Sequence, residues 1–389
     1  MTLQEVKNKA NAKEFIQFPV RLYSKERNWI RPLDKDIAFV FDRSKNKYFQ
    51  NGDAVRWLLK DNNKQTIGRI AAFYHQKTSD QSEQPTGGIG FFECINNQDA
   101  ANMMFDAAKD WLKEKGFEAM DGPVNFGDRN EWWGLLTEGF YEPNYSMPYN
   151  FSYYQNLFDN YGFKPYFKQY TFHRSIAKTN NLPPEIIKKA ERLSKDPNYV
   201  FKHIKKQNLL NHAEEFREIY NQAWSKFKGV GEMSKQQTHA ILKKLKPIAD
   251  ERLIWIGYYN NQPIAIFIMI PEMNQLFKHL NGKFNAWSKL KLLFYKTFHK
   301  QTKALGLIFG IIPDFQGKGV EGALISAFVK ASQKSSFPYT EMEMNWIGDF
   351  NPKMIRVVKK IGAEVKKVHI TYRYLFDPSK PFKRAPMLD

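Results

Sequence analysis

One stretch restricts the possible folds of this chain more than any other. Leu307 to Ile312 reads as a buried strand, Pro313-Asp314-Phe315-Gln316-Gly317-Lys318-Gly319 breaks it, and a helical pattern starts at once with Val320. Val320, Leu324, Ile325 and Phe328 recur at the spacing of one apolar helix face. Strand, short loop and helix in direct succession imply an α/β layer arrangement. The same succession puts Gln316, Gly317, Lys318 and Gly319 at a helix N-terminus, where free backbone N–H groups and roughly half a unit of positive dipole charge favour an anion. Glycine suits such a site because a side chain would hold a phosphate away from the main-chain donors.

The chain repeats itself weakly. Trp57-Leu58-Leu59-Lys60-Asp61-Asn62-Asn63 parallels Trp255-Ile256-Gly257-Tyr258-Tyr259-Asn260-Asn261, each reading as a strand, an Asn-rich turn and a second strand. Asp159-Asn160-Tyr161-Gly162-Phe163 parallels Lys359-Lys360-Ile361-Gly362-Ala363, each a Gly-capped helix end before an aromatic-rich strand. A length of 389 residues accommodates two such units with a core apiece. The expected organisation is residues 1–178, a connection over 179–198, and 199–389. Aligning Phe117 with Phe337 sets Asn96, Asn97, Gln98 and Asp99 against Gln316 to Gly319. The glycines are gone from the first half, and Asp99 is expected to cap its helix with the carboxylate where a phosphate would sit.

The later loop resembles the acyl-CoA pyrophosphate loop of the GNAT superfamily of N-acyltransferases, whose pattern runs apolar-x-Pro-x-x-Gln-Gly-x-Gly. The order of elements over residues 199–376 is similar to that superfamily too. A doubled arrangement with one degenerate module resembles the Fem-type aminoacyltransferases and the N-myristoyltransferases. The opening, with Phe18-Pro19-Val20-Arg21-Leu22-Tyr23 and Asn28-Trp29-Ile30-Arg31-Pro32-Leu33, looks like bacterial tandem GNAT proteins. The resemblance implies an α/β fold with a mixed sheet, two GNAT-like modules, and acyl transfer from acetyl-CoA or a longer acyl-CoA to a small-molecule or peptide amine by direct attack. Alternatives are a Fem-like enzyme using aminoacyl-tRNA and a non-catalytic CoA-binding protein.

By the same resemblance the cofactor would be held by Ile311, Ile312, Gln316, Gly317, Lys318, Gly319, Val320, Gly322 and Asn351, and an amide at Ile312 or its neighbour would polarise the thioester. The chain departs from the pattern in three places. Glu321 stands where a small residue is usual, with the solvent-facing rotamer expected. Val358, and Phe158 in the first half, stand where a proton-donating Tyr is usual. Asn351 also reads as a plain helix cap before Pro352.

Glu341, Glu343 and Asn345 alternate on the strand after the loop helix and therefore share a face. They read either as catalytic, with Glu343 the general base, or as solvent-facing, and Tyr339 is a weaker proton-transfer candidate. Asn125, Asp128, Arg129, Trp132 and Trp133, in an insertion over residues 123–150, read as a substrate-lining loop or as filling between modules.

Lys plus Arg total 59 against 40 acidic residues, a net charge of +19 that favours polyanions: phosphorylated cofactors, nucleic acid or an anionic membrane. Between Met273 and Pro313 there is no Asp or Glu but seven lysines, with Trp287, Leu290, Leu293, Phe294 and Phe298 at helical spacing among them. This reads as a basic amphipathic helix or a solvated surface helix. The first residues lack a signal-peptide core, the run Ile264 to Ile270 is too short to span a bilayer, and Cys94 is the only cysteine. A cytoplasmic protein is expected. No His or Cys spacing points to a metal.

Overall fold

The computed structural model describes residues 1–76, 84–129, 131–176, 182–224 and 231–388. The boundary expected at 178 and 179 lies outside the described residues. Thirteen described strands form one sheet: β1 (Thr2–Glu5), β2 (Gly52–Lys60), β3 (Thr66–His75), β4 (Thr86–Cys94), β5 (Ala119–Gly122), β6 (Leu135–Glu138), β7 (Lys164–Ser175), β8 (Tyr199–His203), β9 (Ile254–Tyr259), β10 (Gln262–Pro271), β11 (Lys303–Ile311), β12 (Glu341–Gly348) and β13 (Glu364–Leu375). The order across the sheet is β1-β2-β3-β4-β5-β13-β7-β12-β11-β10-β9-β8, with β6 also on β13.

Both expected hairpins form. β2 and β3 pair antiparallel around Asp61–Gln65, and β9 and β10 turn at Asn260 and Asn261, both with positive φ. Among the described residues each half contains one parallel pair, β4 with β5 and β11 with β12, the crossover in each being a helix (Gln98–Glu114 and Val320–Ser332). Apolar residues on both faces account for the near-continuous runs. Leu59, Ile70 and Ala72 pack under helix Gln98–Glu114, while Leu58, Ala71 and Phe73 meet Phe15 and Phe126 on the other side.

The two halves exchange their last strands. β7 ends the first repeat in sequence but pairs with β12 of the second, Glu343 opposite His173. β13 ends the second repeat but pairs with β5 of the first, Tyr372 opposite Gly122. Separating the halves would expose two backbone ladders, so the strands between β5 and β12 stand as one unit.

The residue 139–150 segment lies over the second half's sheet. The Tyr145 N–H donates to Glu272 at 2.7 Å, Asn274 Nδ2 to Pro143 O at 2.9 Å, and His369 Nε2 lies 3.4 Å from Pro148 O. His369 is 1% exposed, and burial lowers its pKa from 6.5 to about 4. Above pH 6.5 both folded and unfolded states hold a neutral ring. Between pH 6.5 and about 4 only the unfolded chain takes up the proton, so stability falls with pH there, by up to roughly 3 kcal/mol. His369→Gln is expected to reduce the dependence of the urea midpoint on pH in that window; a slope equal to wild type would show that the ring is not buried neutral.

Candidate functional site

β11 and β12 run parallel only from Lys303 to Gly306, opposite Glu341 to Met344, and then separate. The gap is an apolar cleft of about 50 Å³ bounded by Leu307, Phe309, Met344, Asn345 and Val358. Next to it lies a second cavity of about 160 Å³, and Ile325, Val357 and Ile361 belong to both walls. That second cavity opens at the N-terminus of helix Val320–Ser332.

The loop adopts the geometry its residues permit. Pro313–Phe315 makes one tight turn, and Gln316 Nε2 donates back to Ile311 O at 2.9 Å. Gly317 and Gly319 have φ of +74° and +94°, a region that L side chains avoid. A Cβ at Gly317 would meet nothing within 4 Å, so backbone conformation rather than crowding requires that glycine. Gly319 occupies the N-cap position without a side-chain bond to the helix, which leaves the first-turn amides of Val320, Glu321 and Gly322 uncapped.

Four cations line the second cavity, Lys189, Lys353, Arg356 and Lys360, and none has an ion-pair partner among the described residues; Glu185 lies in the lining as well. Lys353, Arg356 and Lys360 share one face of helix Pro352–Lys360, at positions i, i+3 and i+7. Sequence reading missed this quartet, although the i, i+3, i+7 spacing was available to it. Lys318, expected as the point charge beside a phosphate, instead lies over the Phe315 ring at 5.2 Å.

Glu321 is not solvent-facing as expected. It lines the same cavity, and its Oε2 is buried without a hydrogen bond among the described residues, so a carboxyl group stands beside the uncapped amides. Asn351 accepts from the Met354 N–H at 3.1 Å and caps its helix; its side chain is committed to that bond and lines neither cavity.

At the aligned position of the first half, the start of helix Gln98–Glu114 is capped. Asn97 Oδ1 accepts from the Ala100 N–H at 2.8 Å, so Asn97, not the expected Asp99, is the cap, while Asp99 lies in the first turn. Phe158 is buried among Phe92, Phe105 and Phe163.

The amide expected to polarise a carbonyl needs one correction. The Ile312 N–H donates to Ile264 O at 3.0 Å and is already used. Alternation along an antiparallel strand then turns the N–H groups of Ile311 and Phe309 to the opposite edge, which faces the cleft beyond the point where β12 departs.

Glu343 was expected as a base or as a solvent-facing residue. It is fully buried, with Lys303 at 3.0 Å, Lys366 at 2.8 Å, Lys367 at 2.9 Å and Asn144 Nδ2 donating at 2.7 Å. Burial alone would raise its pKa, but the ammonium groups of Lys367 and Lys303 prevail and hold the carboxyl far below the usual range. A carboxylate so held is a poor proton acceptor. Glu341 is half-buried, 3.1 Å from His173 Nε2 and 3.5 Å from Lys366. Asn345 Oδ1 accepts from Asn144 Nδ2 at 3.0 Å and from Thr171 Oγ1 at 3.3 Å. Tyr339 donates to Asp250 at 2.8 Å, away from the cleft.

Within the 123–150 insertion, it is Asn144 that reaches the cleft wall, and no sequence signal marked it. Asn144 is 1% exposed and its Oδ1 has no partner. The five residues expected to line a substrate site stay in the first half. Asn125 is buried with Oδ1 unpaired, and Asp128 accepts from Tyr48 at 3.0 Å. Arg129 lies over the Trp133 and Phe167 rings, and Trp132 borders a separate cavity of about 90 Å³.

No protein-family model matches the chain. Comparison with solved structures gives a tandem GNAT protein from the clavulanic acid biosynthesis pathway, at TM-score 0.55 and 10% identity, over 97% of this chain and 100% of that one. It also gives a fungal multi-domain β-N-acetylglucosaminidase containing a GCN5-related glucosamine N-acetyltransferase region, at TM-score 0.55 and 11% identity, over 96% of this chain and 38% of that one. With the doubled sheet and the two helix crossovers, these likenesses define the class: the chain has the tandem GNAT fold.

Two curated proteins are similar in sequence along nearly their whole length. One is a bacterial ceramide synthase from Caulobacter vibrioides, 26% identical over 94% of this chain and 95% of its own. The other is protein YghO from Escherichia coli, 25% identical over 94% and 93%.

Proposed function

We propose that the protein is an acyl-CoA-dependent N-acyltransferase whose donor binds in the second half, and whose acceptor is the amine of a long-chain amino alcohol. One observation carries the donor assignment: a cavity with four cations and two carboxyl groups in its lining, at an uncapped helix N-terminus, shares a wall with an apolar cleft between diverging strands. That order, polyanion socket and then apolar channel, follows the order of groups in an acyl-CoA. The likeness to a ceramide synthase supports the acceptor class and a donor chain longer than acetyl.

In this reading the phosphates lie on the amides of Val320 to Gly322 among Lys189, Lys353, Arg356 and Lys360. The pantetheine arm runs between β11 and β12, and the thioester oxygen takes the Ile311 N–H. The amine nitrogen, as the neutral free base, attacks the carbonyl carbon; the C–N bond forms as the C–S bond breaks, and the proton that the nitrogen gives up passes to the departing thiolate. Asn144 Nδ2 fixes the Asn345 side chain at 3.0 Å, and Asn345, on the cleft wall, orients the incoming amine. Val358 carries no proton, so sulfur departs as thiolate, which a thiol pKa of about 8.5 tolerates. Glu343 holds Asn144 in place and takes no proton.

Mixing the protein with acyl-CoAs of rising chain length and a long-chain amino alcohol should release free thiol, and mass spectrometry should find the amide. Thiol release is expected to require both substrates and to fall at least tenfold with acetyl-CoA. Transfer from aminoacyl-tRNA with no consumption of any acyl-CoA would remove this assignment.

A further inference from the structure

Helix Ala286–Phe298 has no role in the site described above. Leu292 and Tyr295 hold one face of it against Met273, Leu276, Phe277 and Leu280. Its opposite face is bare: Trp287 is 66% exposed, Leu290 59%, Leu293 63%, Phe294 56% and Phe298 71%. These are five of the fourteen large apolar side chains that the described residues expose, gathered on one element rather than scattered. At 3.6 residues per turn they span an arc of roughly 140°.

The arc is bordered by charge of a single sign. Lys291 falls on one flank, Lys289 and Lys296 on the other, with Lys283 and Lys300 just beyond the helix ends. All five are exposed and none has an ion-pair partner among the described residues, and no acidic residue occurs from Met273 to Pro313. An apolar ridge between rows of ammonium groups matches a surface whose interior is hydrocarbon and whose border is anionic. Nucleic acid would use the lysines but leave the Trp, Leu and Phe ridge uncovered. A second copy of this helix would bring lysine rows against lysine rows.

We infer that this helix lies flat in the interface of an anionic phospholipid bilayer. Trp287, Leu290, Leu293, Phe294 and Phe298 enter the acyl region and the lysines meet the head groups. No helix among the described residues is long and apolar enough to cross a membrane, so attachment of this kind is peripheral. The inference goes beyond the proposed acyl transfer and stands without it.

The test is flotation of the full chain with vesicles of phosphatidylcholine alone and of phosphatidylcholine with phosphatidylglycerol. Wild type is expected to float with the anionic vesicles at least tenfold more than with the neutral ones, less so in high salt. Trp287→Ser/Leu290→Ser/Phe294→Ser and Lys289→Glu/Lys291→Glu/Lys296→Glu should each lose at least tenfold. Both should keep the wild-type unfolding midpoint, because the replaced side chains are exposed. Equal flotation of either triple variant and wild type would overturn the inference. So would a dimer abolished by the apolar replacements without any vesicle binding, or tighter binding to duplex DNA than to vesicles.

Discussion

Glu343→Gln is expected to lower the unfolding free energy by about 3–5 kcal/mol, because it leaves three closely spaced lysines without their shared counter-charge. Two of them can relax toward solvent, at 14% and 22% side-chain exposure, but Lys367 is 3% exposed and cannot. Removing an ammonium group as well should recover part of the loss, so Glu343→Met/Lys367→Met is expected to be more stable than Glu343→Gln. Glu341→Gln on the same face should cost less than about 1 kcal/mol, since its partners are half-exposed. Urea unfolding of the four proteins without ligand is the measurement. A catalytic base would give the opposite split, with turnover abolished and the midpoint unchanged.

The second large effect concerns affinity for the donor. Gly317→Asp/Gly319→Asp places two carboxylates at the uncapped helix end, and calorimetry should show acyl-CoA affinity reduced at least a hundredfold. At Gly317 a side chain has room, whereas at Gly319 it would come within 3.3 Å of the Lys189 Cβ, so a shift of a few tenths of an ångström is needed there, and an unchanged circular dichroism spectrum should show that the variant folds. Strain at positive φ accompanies both changes, so a variant without it separates charge from conformation. Arg356→Glu, on an exposed helix face, should weaken binding at least tenfold. Glu321→Gln should act in the other direction: with an amide in place of the carboxyl on the cavity wall, affinity for a polyanion should rise several-fold. Loss with Arg356→Glu and no change with Glu321→Gln would mean that the phosphates lie on the helix Pro352–Lys360 side only.

Much of the fold could be read from the chain because local signals were strong. Asn260 and Asn261 mark a hairpin, Gly162 a helix end, and Pro313 with Gly317 and Gly319 a loop, each through its own backbone preference. The exchange of β7 and β13 could not be read: similar repeats reveal the order of elements, not which edge a strand joins. The fate of Glu343 was illegible for a related reason. Alternation put Glu341, Glu343 and Asn345 on one face, but Lys366 and Lys367 arrive on β13, and Asn144 on a loop of the first half. Long-range pairing of that kind leaves no local pattern. The Lys353, Arg356 and Lys360 stripe was legible in principle, because helical spacing alone puts the three on one face.

The two adjoining cavities of the second half are proposed to hold the whole donor. A crystal structure of the protein with a non-hydrolysable acyl-CoA tests this most directly. Diphosphate oxygens are expected within hydrogen-bond distance of the Val320 and Glu321 amides, with Arg356 or Lys360 on a phosphate and the pantetheine chain between Phe309 and Asn345. A donor seated instead in the first half beside Trp132, or a cavity still closed by Glu321 at saturating ligand, would contradict it.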